Sequence, residues 1–296
     1  MTVSRAKIND RIELEYDTFG RDTDPALLLI VGFMAQMVMW DSEFCKLLAA
    51  GGLHVIRFDN RDCGLSTHLD GQSVSVDEVL HAAMLGEPIP KVPYTLSDMA
   101  ADAAGLLDYL GIERAHILGA SMGGMIAQTF AIEYPQRTLS LTSVMSQTGE
   151  LEFGQSTPEA LDAIFTPSPV DRDEYIKFST RWQIWHSKKY RSDENSYAAA
   201  IRDYDRMFYP EGGPRQLAAV YASGSRAEQL QLLTVPTLVV HGLDDTLISP
   251  SGGQRTAELI PNARLLMLED MGHDLPRPLW PTFISAVHQL TQSVTV

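Results

Sequence analysis

The chain has 296 residues, with 38 Asp and Glu against 23 Lys and Arg, for a formal net charge of −15. Its 45% hydrophobic and 21% charged residues exclude a disordered or low-complexity chain, and a length near 300 buries enough apolar surface to need no disulfide or metal staple. The acidic excess leaves no basic stripe to neutralise phosphates, so neither nucleic acid nor an anionic membrane surface is an expected partner.

The N-terminus lacks an apolar run behind a basic start, and no stretch reaches the roughly 18 apolar residues of a membrane span. The expected setting is therefore soluble and cytoplasmic. Cys45 and Cys63 cannot make a disulfide framework and read as reduced thiols, one in a helix and one in a loop. At most they form one bridge.

Ile12, Leu14 and Tyr16 alternate with Glu13, Glu15 and Asp17 after an Asn9-Asp10 turn, which predicts an opening hairpin. A continuous apolar run over 26–31 reads as a strand buried on both faces. Further strand runs follow at 53–58, 115–118, 139–144, 237–241 and 264–268. Between most of them lie helix-period segments at 41–50, 96–110, 122–134, 250–260 and 278–290. Strand alternating with helix predicts a doubly wound α/β sheet. From 146 to 232 the rhythm breaks into helix-like pieces punctuated by Pro158, Pro167, Pro169, Pro210 and Pro214. That interval reads as a helical cap inserted after the sixth strand, dividing the core into 1–145 and 233–296. Ligands of open α/β sheets bind at the carboxyl ends of the strands, where such an insertion sits.

The sharpest motif is Gly119-Ala120-Ser121-Met122-Gly123, followed by Gly124. It is G-x-S-x-G between a predicted strand and a predicted helix, the context that a nucleophilic serine on a tight strand-to-helix turn requires. A serine alone is a weak nucleophile and needs a base and an orienting acid. In this architecture the chain order is Ser, then Asp or Glu, then His. His241-Gly242-Leu243-Asp244-Asp245 places acids just after a strand, and Met271-Gly272-His273 places a histidine after the next. His273 is the expected base. Of the adjacent acids Asp245 is favoured, with Asp244 read as a turn or helix-capping residue. His54, His116 and His241 lie in or beside strand runs and read as structural; nothing in the sequence gives His68, His81, His186 or His288 a partner. An oxyanion hole takes one backbone N–H from the residue after the nucleophile, Met122, and one from the loop after an earlier strand, Phe33.

With these residues in view, the chain resembles the α/β-hydrolase fold family over essentially its whole length. The segment from Leu53 through Asp59, Arg61 and Gly64 to Ser66, the serine turn and Met271-Gly272-His273 are similar to those of aclacinomycin methylesterase-like hydrolases. The resemblance implies a mostly parallel eight-stranded sheet flanked by helices and a helical cap after strand six. It further implies a Ser121–Asp245–His273 triad, Phe33 and Met122 as oxyanion donors, no cofactor or metal, and cleavage of carboxylic esters. Where many relatives carry His-Gly before the first donor, this chain has Val31-Gly32, a change that leaves a backbone-built hole intact. Arg61 reads as buried and hydrogen-bonded rather than catalytic.

The expected substrate is a small-to-medium, uncharged apolar ester. Met34 and Met145 beside the predicted mouth and Trp182 and Trp185 in the cap are candidate substrate contacts, although methionines fill cores equally well. Positions 178, 182 and 185 suit one helix face packed on the core, and Tyr204, Phe208 and Tyr209 add further cap aromatics. Acyl transfer, perhydrolysis and carbon–carbon bond hydrolysis use the same triad, and a non-catalytic receptor on this scaffold is the reading from another class. Dehalogenase and epoxide-hydrolase chemistries are disfavoured, because they need a carboxylate where Ser121 stands.

Overall fold

A computed structural model describes residues 4–294. The opening hairpin forms: β1 (Ser4–Lys7) pairs antiparallel with β2 (Glu13–Phe19), with Ala6 opposite Leu14. Six parallel strands follow, β3 (Ala26–Ile30), β4 (His54–Phe58), β5 (Ala115–Ala120), β6 (Thr138–Val144), β7 (Thr237–Gly242) and β8 (Arg264–Leu268). The sheet order is β1-β2-β4-β3-β5-β6-β7-β8, and only β2 runs against the rest.

Every residue of β3 to β7 is buried, whereas the edge strand β8 is exposed at its start. That is why the central strands read as unbroken apolar runs: side chains alternate between two covered faces. Leu28, Ile30 and Ile117 point to one core, shared with α3 (Leu96–Tyr109) and α4 (Met122–Glu133). Leu27, Leu29 and Leu118 point to the other, shared with α1 (Ser42–Ala49) and α11 (Trp280–Gln292). Local signals start the helices as expected. Asp41 caps α1 through the Glu43 N–H, and Thr95 with Asp98 forms a capping box on α3. Inside the sheet, Arg57 makes a bidentate bond of 2.7 and 2.8 Å to Asp17.

The remaining helices are α2 (Val76–Leu85), α5 (Pro158–Phe165), α6 (Arg172–Phe178), α7 (Asp193–Arg206), α8 (Gly212–Ala222), α9 (Ala227–Leu230) and α10 (Pro250–Leu259). Helices α5 to α9 fill the interval between β6 and β7. Three local expectations are corrected. The α2 helix is absent from the predicted elements. The C-terminal helix starts at Trp280 after a 3-10 turn at Arg277–Leu279 and ends at Gln292. Residues 178, 182 and 185 do not share one helix face: Phe178 ends α6, Trp182 lies in the 3-10 segment Ser179–Ile184, and Trp185 follows it. Cys45 lies in α1 and Cys63 in a loop, both free and buried. Among the described residues no helix is long and apolar enough to cross a membrane.

Candidate active site

Ser121 stands between β5 and α4 with φ 58° and ψ −124°, a conformation that costs a non-glycine residue about 1–3 kcal/mol. The turn is held from several sides. Its N–H donates to Val144 O at 2.9 Å, and its carbonyl accepts from Gly124 N–H at 2.9 Å and Ser146 Oγ–H at 2.8 Å. The motif glycines are there because backbone passes through the space of their missing side chains. A Cβ on Gly119 would lie 1.9 Å from Gly123 O, and one on Gly123 would lie 2.3 Å from Ile30 O.

The carboxyl ends of β7 and β8 bring the other two groups to this turn. Ser121 Oγ lies 2.8 Å from His273 Nε2, and His273 Nδ1 lies 2.7 Å from Asp245 Oδ2. Asp245 Oδ1 accepts the Leu247 and Ile248 N–H groups, both at 2.9 Å. An ionised carboxylate only accepts, so it holds the proton on His273 Nδ1 and leaves the Nε2 lone pair facing the serine hydroxyl. Burial works against the charge of Asp245, but His273 and His241 outweigh it and hold the carboxyl at about 2. His241 donates from Nε2 to Ile248 O at 2.8 Å and stands 3.4 Å from Asp245 Oδ2, so the acid is bracketed by two imidazoles.

Asp244 points elsewhere. Its carboxylate accepts the Lys188 N–H at 3.1 Å and pairs with Lys188 Nζ at 3.0 Å. It is thus a turn residue tied to the insertion, and not a helix cap; Ser249 holds that position on α10.

Gly32, Phe33, Met34 and Ala35 form a turn closed by Ala35 N–H to Gly32 O at 3.3 Å. A Cβ on Gly32 would lie 3.1 Å from Ser121 Cβ, so the turn and the serine are in contact through a glycine. Among the described residues, neither the Phe33 N–H nor the Met122 N–H donates to a protein acceptor. These two N–H groups are the candidate oxyanion donors.

The candidate substrate contacts sort differently. Met34 is half-buried in this turn, with φ 53°. Met145 is buried in the core with Val144, Leu238 and Met271. Trp182 packs edge-on against Tyr175 and Phe178, with centroids 5.6 and 6.0 Å away. Trp185 reaches the site by its backbone: its carbonyl accepts the His273 N–H at 2.6 Å. Tyr204 and Phe208 stack at 4.6 Å beside Tyr175, whereas Tyr209 stacks on His68 at 3.7 Å. Arg61 is buried in a bidentate pair with Asp102 at 2.6 and 2.7 Å.

Sequence reasoning missed Ser146, the His241 contact and Gln216, whose Oε1 accepts the Met34 N–H at 2.9 Å across 182 residues. None carries a motif, because each acts through backbone or tertiary contact. Among the described residues no group of three or more His, Cys, Asp or Glu side chains is arranged to hold a metal ion.

A family model for the alpha/beta hydrolase fold matches residues 25–276. Among curated proteins, rhodomycin D methylesterase of Streptomyces peucetius is 28% identical, over 99% of this chain and 99% of its own. Among solved structures, an esterase of Rhodococcus sp. ECU1013 superposes with a TM-score of 0.75 at 22% identity, over 100% of both chains. The enol-lactonase of Burkholderia xenovorans LB400 gives 0.73 at 23% identity, over 97% of this chain and 99% of its own.

Proposed function

This chain belongs to the alpha/beta hydrolase fold family, and from that premise we propose that it is a serine esterase whose Ser121, His273 and Asp245 cleave a carboxylic ester. The observation that carries the reading is the unbroken line from Ser121 Oγ to His273 Nε2 at 2.8 Å and from His273 Nδ1 to Asp245 Oδ2 at 2.7 Å. The similarity to a methylesterase over nearly the full length of both chains supports ester bonds as the target.

In the proposed reaction His273 Nε2 takes the hydroxyl proton as Ser121 Oγ attacks the ester carbonyl. The Phe33 and Met122 N–H groups receive the developing oxyanion, each worth ~3 kcal/mol in the transition state. His273 returns the proton to the departing alcohol, and the acyl-enzyme is released by water activated through the same imidazole. Asp245 keeps the tautomer and bears the charge of the transient imidazolium. The strained serine supports this role, because strain of this kind persists where the surroundings over-determine a functional geometry.

The segment 146–232 is proposed as the cap that shapes the substrate site, for a small-to-medium apolar ester; Met34, Met145, Trp182 and Trp185 are its proposed contacts. A cytoplasmic small-molecule substrate, without nucleic acid or membrane as partner and without a cofactor, completes the reading. Labelling with a fluorophosphonate, followed by peptide mass analysis, tests it together with a panel of esters graded by acyl and alcohol size. The expected result is labelling at Ser121 and a fall of at least about 10⁴-fold in ester turnover for Ser121→Ala. Undiminished turnover in that variant would overturn the assignment.

A further inference from the structure

The oxyanion turn is poorly held by its own residues. Its closing bond is long, 3.3 Å from Ala35 N to Gly32 O, and its second central residue, Met34, is a non-glycine at φ 53°. Both features favour relaxation of the peptide between Phe33 and Met34. Rotation of that peptide changes ψ of Phe33 and φ of Met34. Without the outside bond to the Met34 N–H the turn is also free to shift bodily, and such a shift would carry the Phe33 N–H away from Ser121.

One side chain opposes that rotation. Gln216, fully buried in α8, accepts the Met34 N–H on Oε1 at 2.9 Å and donates from Nε2 to Arg61 O at 2.9 Å. The two bonds use both ends of the amide, so its orientation is fixed. The helix is anchored beside it, since Arg215 makes a bidentate bond to Asp62 at 2.8 and 2.8 Å. Arg61 is itself locked to Asp102 on α3. The amide therefore hangs between two rigid points and holds the turn from outside.

We propose that Gln216 is a positioning residue for the oxyanion hole, keeping the Phe33 N–H aimed at the site through its bond to the Met34 N–H. The proposal rests on the esterase reading. It makes the donor geometry of the core depend on docking of a helix from the insertion. A donor displaced by about 1 Å costs on the order of 100-fold in rate, so loss of the amide acceptor should show in turnover and little in ground-state binding.

The test compares wild type, Gln216→Met and Gln216→Glu on an ester that the panel shows to be turned over. Methionine fills a similar volume without a strong acceptor, and glutamate keeps an oxygen for the Met34 N–H. For Q216M, kcat should fall about 30-fold with KM within about twofold. Affinity for a trifluoromethyl ketone, which places an oxyanion in the hole, should fall by the same factor, while inhibition by the product acid stays unchanged. Q216E, which keeps the Met34 acceptor but loses the donor to Arg61 O, should recover part of the lost kcat. In the wild type, hydrogen exchange should find the Met34 amide protected, a measurement that stands even if Q216M does not fold. A Q216M kcat within threefold of wild type, equal losses for the ketone and the product acid, or a fast-exchanging Met34 amide would each overturn the positioning role. A wild type that neither turns over esters nor labels at Ser121 would instead overturn the esterase reading beneath it.

Discussion

The parallel sheet and the insertion between β6 and β7 contribute to the candidate site in different ways. The sheet supplies the groups: Ser121, Asp245 and His273 all follow the carboxyl ends of parallel strands, and Phe33 follows β3. The insertion supplies orientation, and it does so mainly through backbone. Trp185 O accepts the His273 N–H, Asp274 Oδ1 accepts the Ser187 N–H at 2.9 Å, and Asp244 accepts the Lys188 N–H. At the other end, Gln216 accepts the Met34 N–H of the turn after β3. Changes in sheet-borne groups should therefore abolish chemistry, and changes in the insertion should grade it.

The sharpest way to break that contrast is at the adjacent acids. In Asp245→Asn the amide oxygen stays with the Leu247 and Ile248 N–H groups that Oδ1 serves. The NH₂ then faces His273 Nδ1, the wrong tautomer is favoured, and kcat should fall about 10⁴-fold. Asp244→Asn keeps an acceptor for the Lys188 N–H, and kcat should stay within about threefold. Steady-state kinetics on one ester decides between them, and equal losses would refute the division of labour. Both acids also bear on acid stability, because each carboxyl is held below its ordinary value. With its carboxyl held at about 2 against an ordinary 3.8, native Asp245 gives up its proton more readily than the unfolded chain does. Its contribution is fully present above the ordinary value and is lost as pH falls toward 2. Urea titrations of D245N should show less loss of stability across that interval than wild type.

That contrast also explains how much was legible beforehand. Strands buried on both faces announce themselves as apolar runs, so β3 to β7 emerge within a residue or two of their observed places. The β2 strand is legible by alternation and β8 as an edge run, while the hairpin signal leaves the bounds of β1 open. The serine turn is legible because glycines must stand where backbone crowds the elbow. The 76–85 helix was missed: it begins in a polar stretch and leaves Met84 and Leu85 exposed, so no core-facing stripe marks it. Phe178, Trp182 and Trp185 share a helical spacing, but α6 ends at Phe178. Gln216 could not be read at all, because its partners are a carbonyl 155 residues and an amide 182 residues away in the chain. Side-chain motifs are local, whereas backbone partners are chosen by the fold.

A smaller effect is expected at Asp274, which joins the two regions. Its Oδ1 accepts both the Gly272 N–H at 3.1 Å and the Ser187 N–H. Burial pushes its carboxyl above the ordinary value, the opposite of Asp245. The native state thus binds this proton more tightly than the unfolded chain, and this residue's contribution to stability declines as pH rises from the ordinary carboxylate value through the raised one. Asp274→Asn keeps the Oδ1 acceptor and removes the charge. It should flatten that dependence while lowering kcat by no more than about fivefold. A variant that keeps the wild-type slope would remove Asp274 from the explanation.

The least effect should come from the charges on the insertion's rim. Lys188 Nζ pairs with Asp244 at 3.0 Å, yet the lysine side chain is 69% exposed. Exposed pairs of this kind are worth about 0–1 kcal/mol and are screened by salt. The Lys188 N–H bond to Asp244 does not depend on the side chain, so Lys188→Ala leaves the backbone clasp on the histidine loop in place. Its kcat should lie within about twofold of wild type, and added NaCl should erase any difference in stability between the two. A tenfold loss of kcat in K188A that persisted at high salt would mean that the insertion acts through its charged side chains. The backbone clasp would then not be what orients His273.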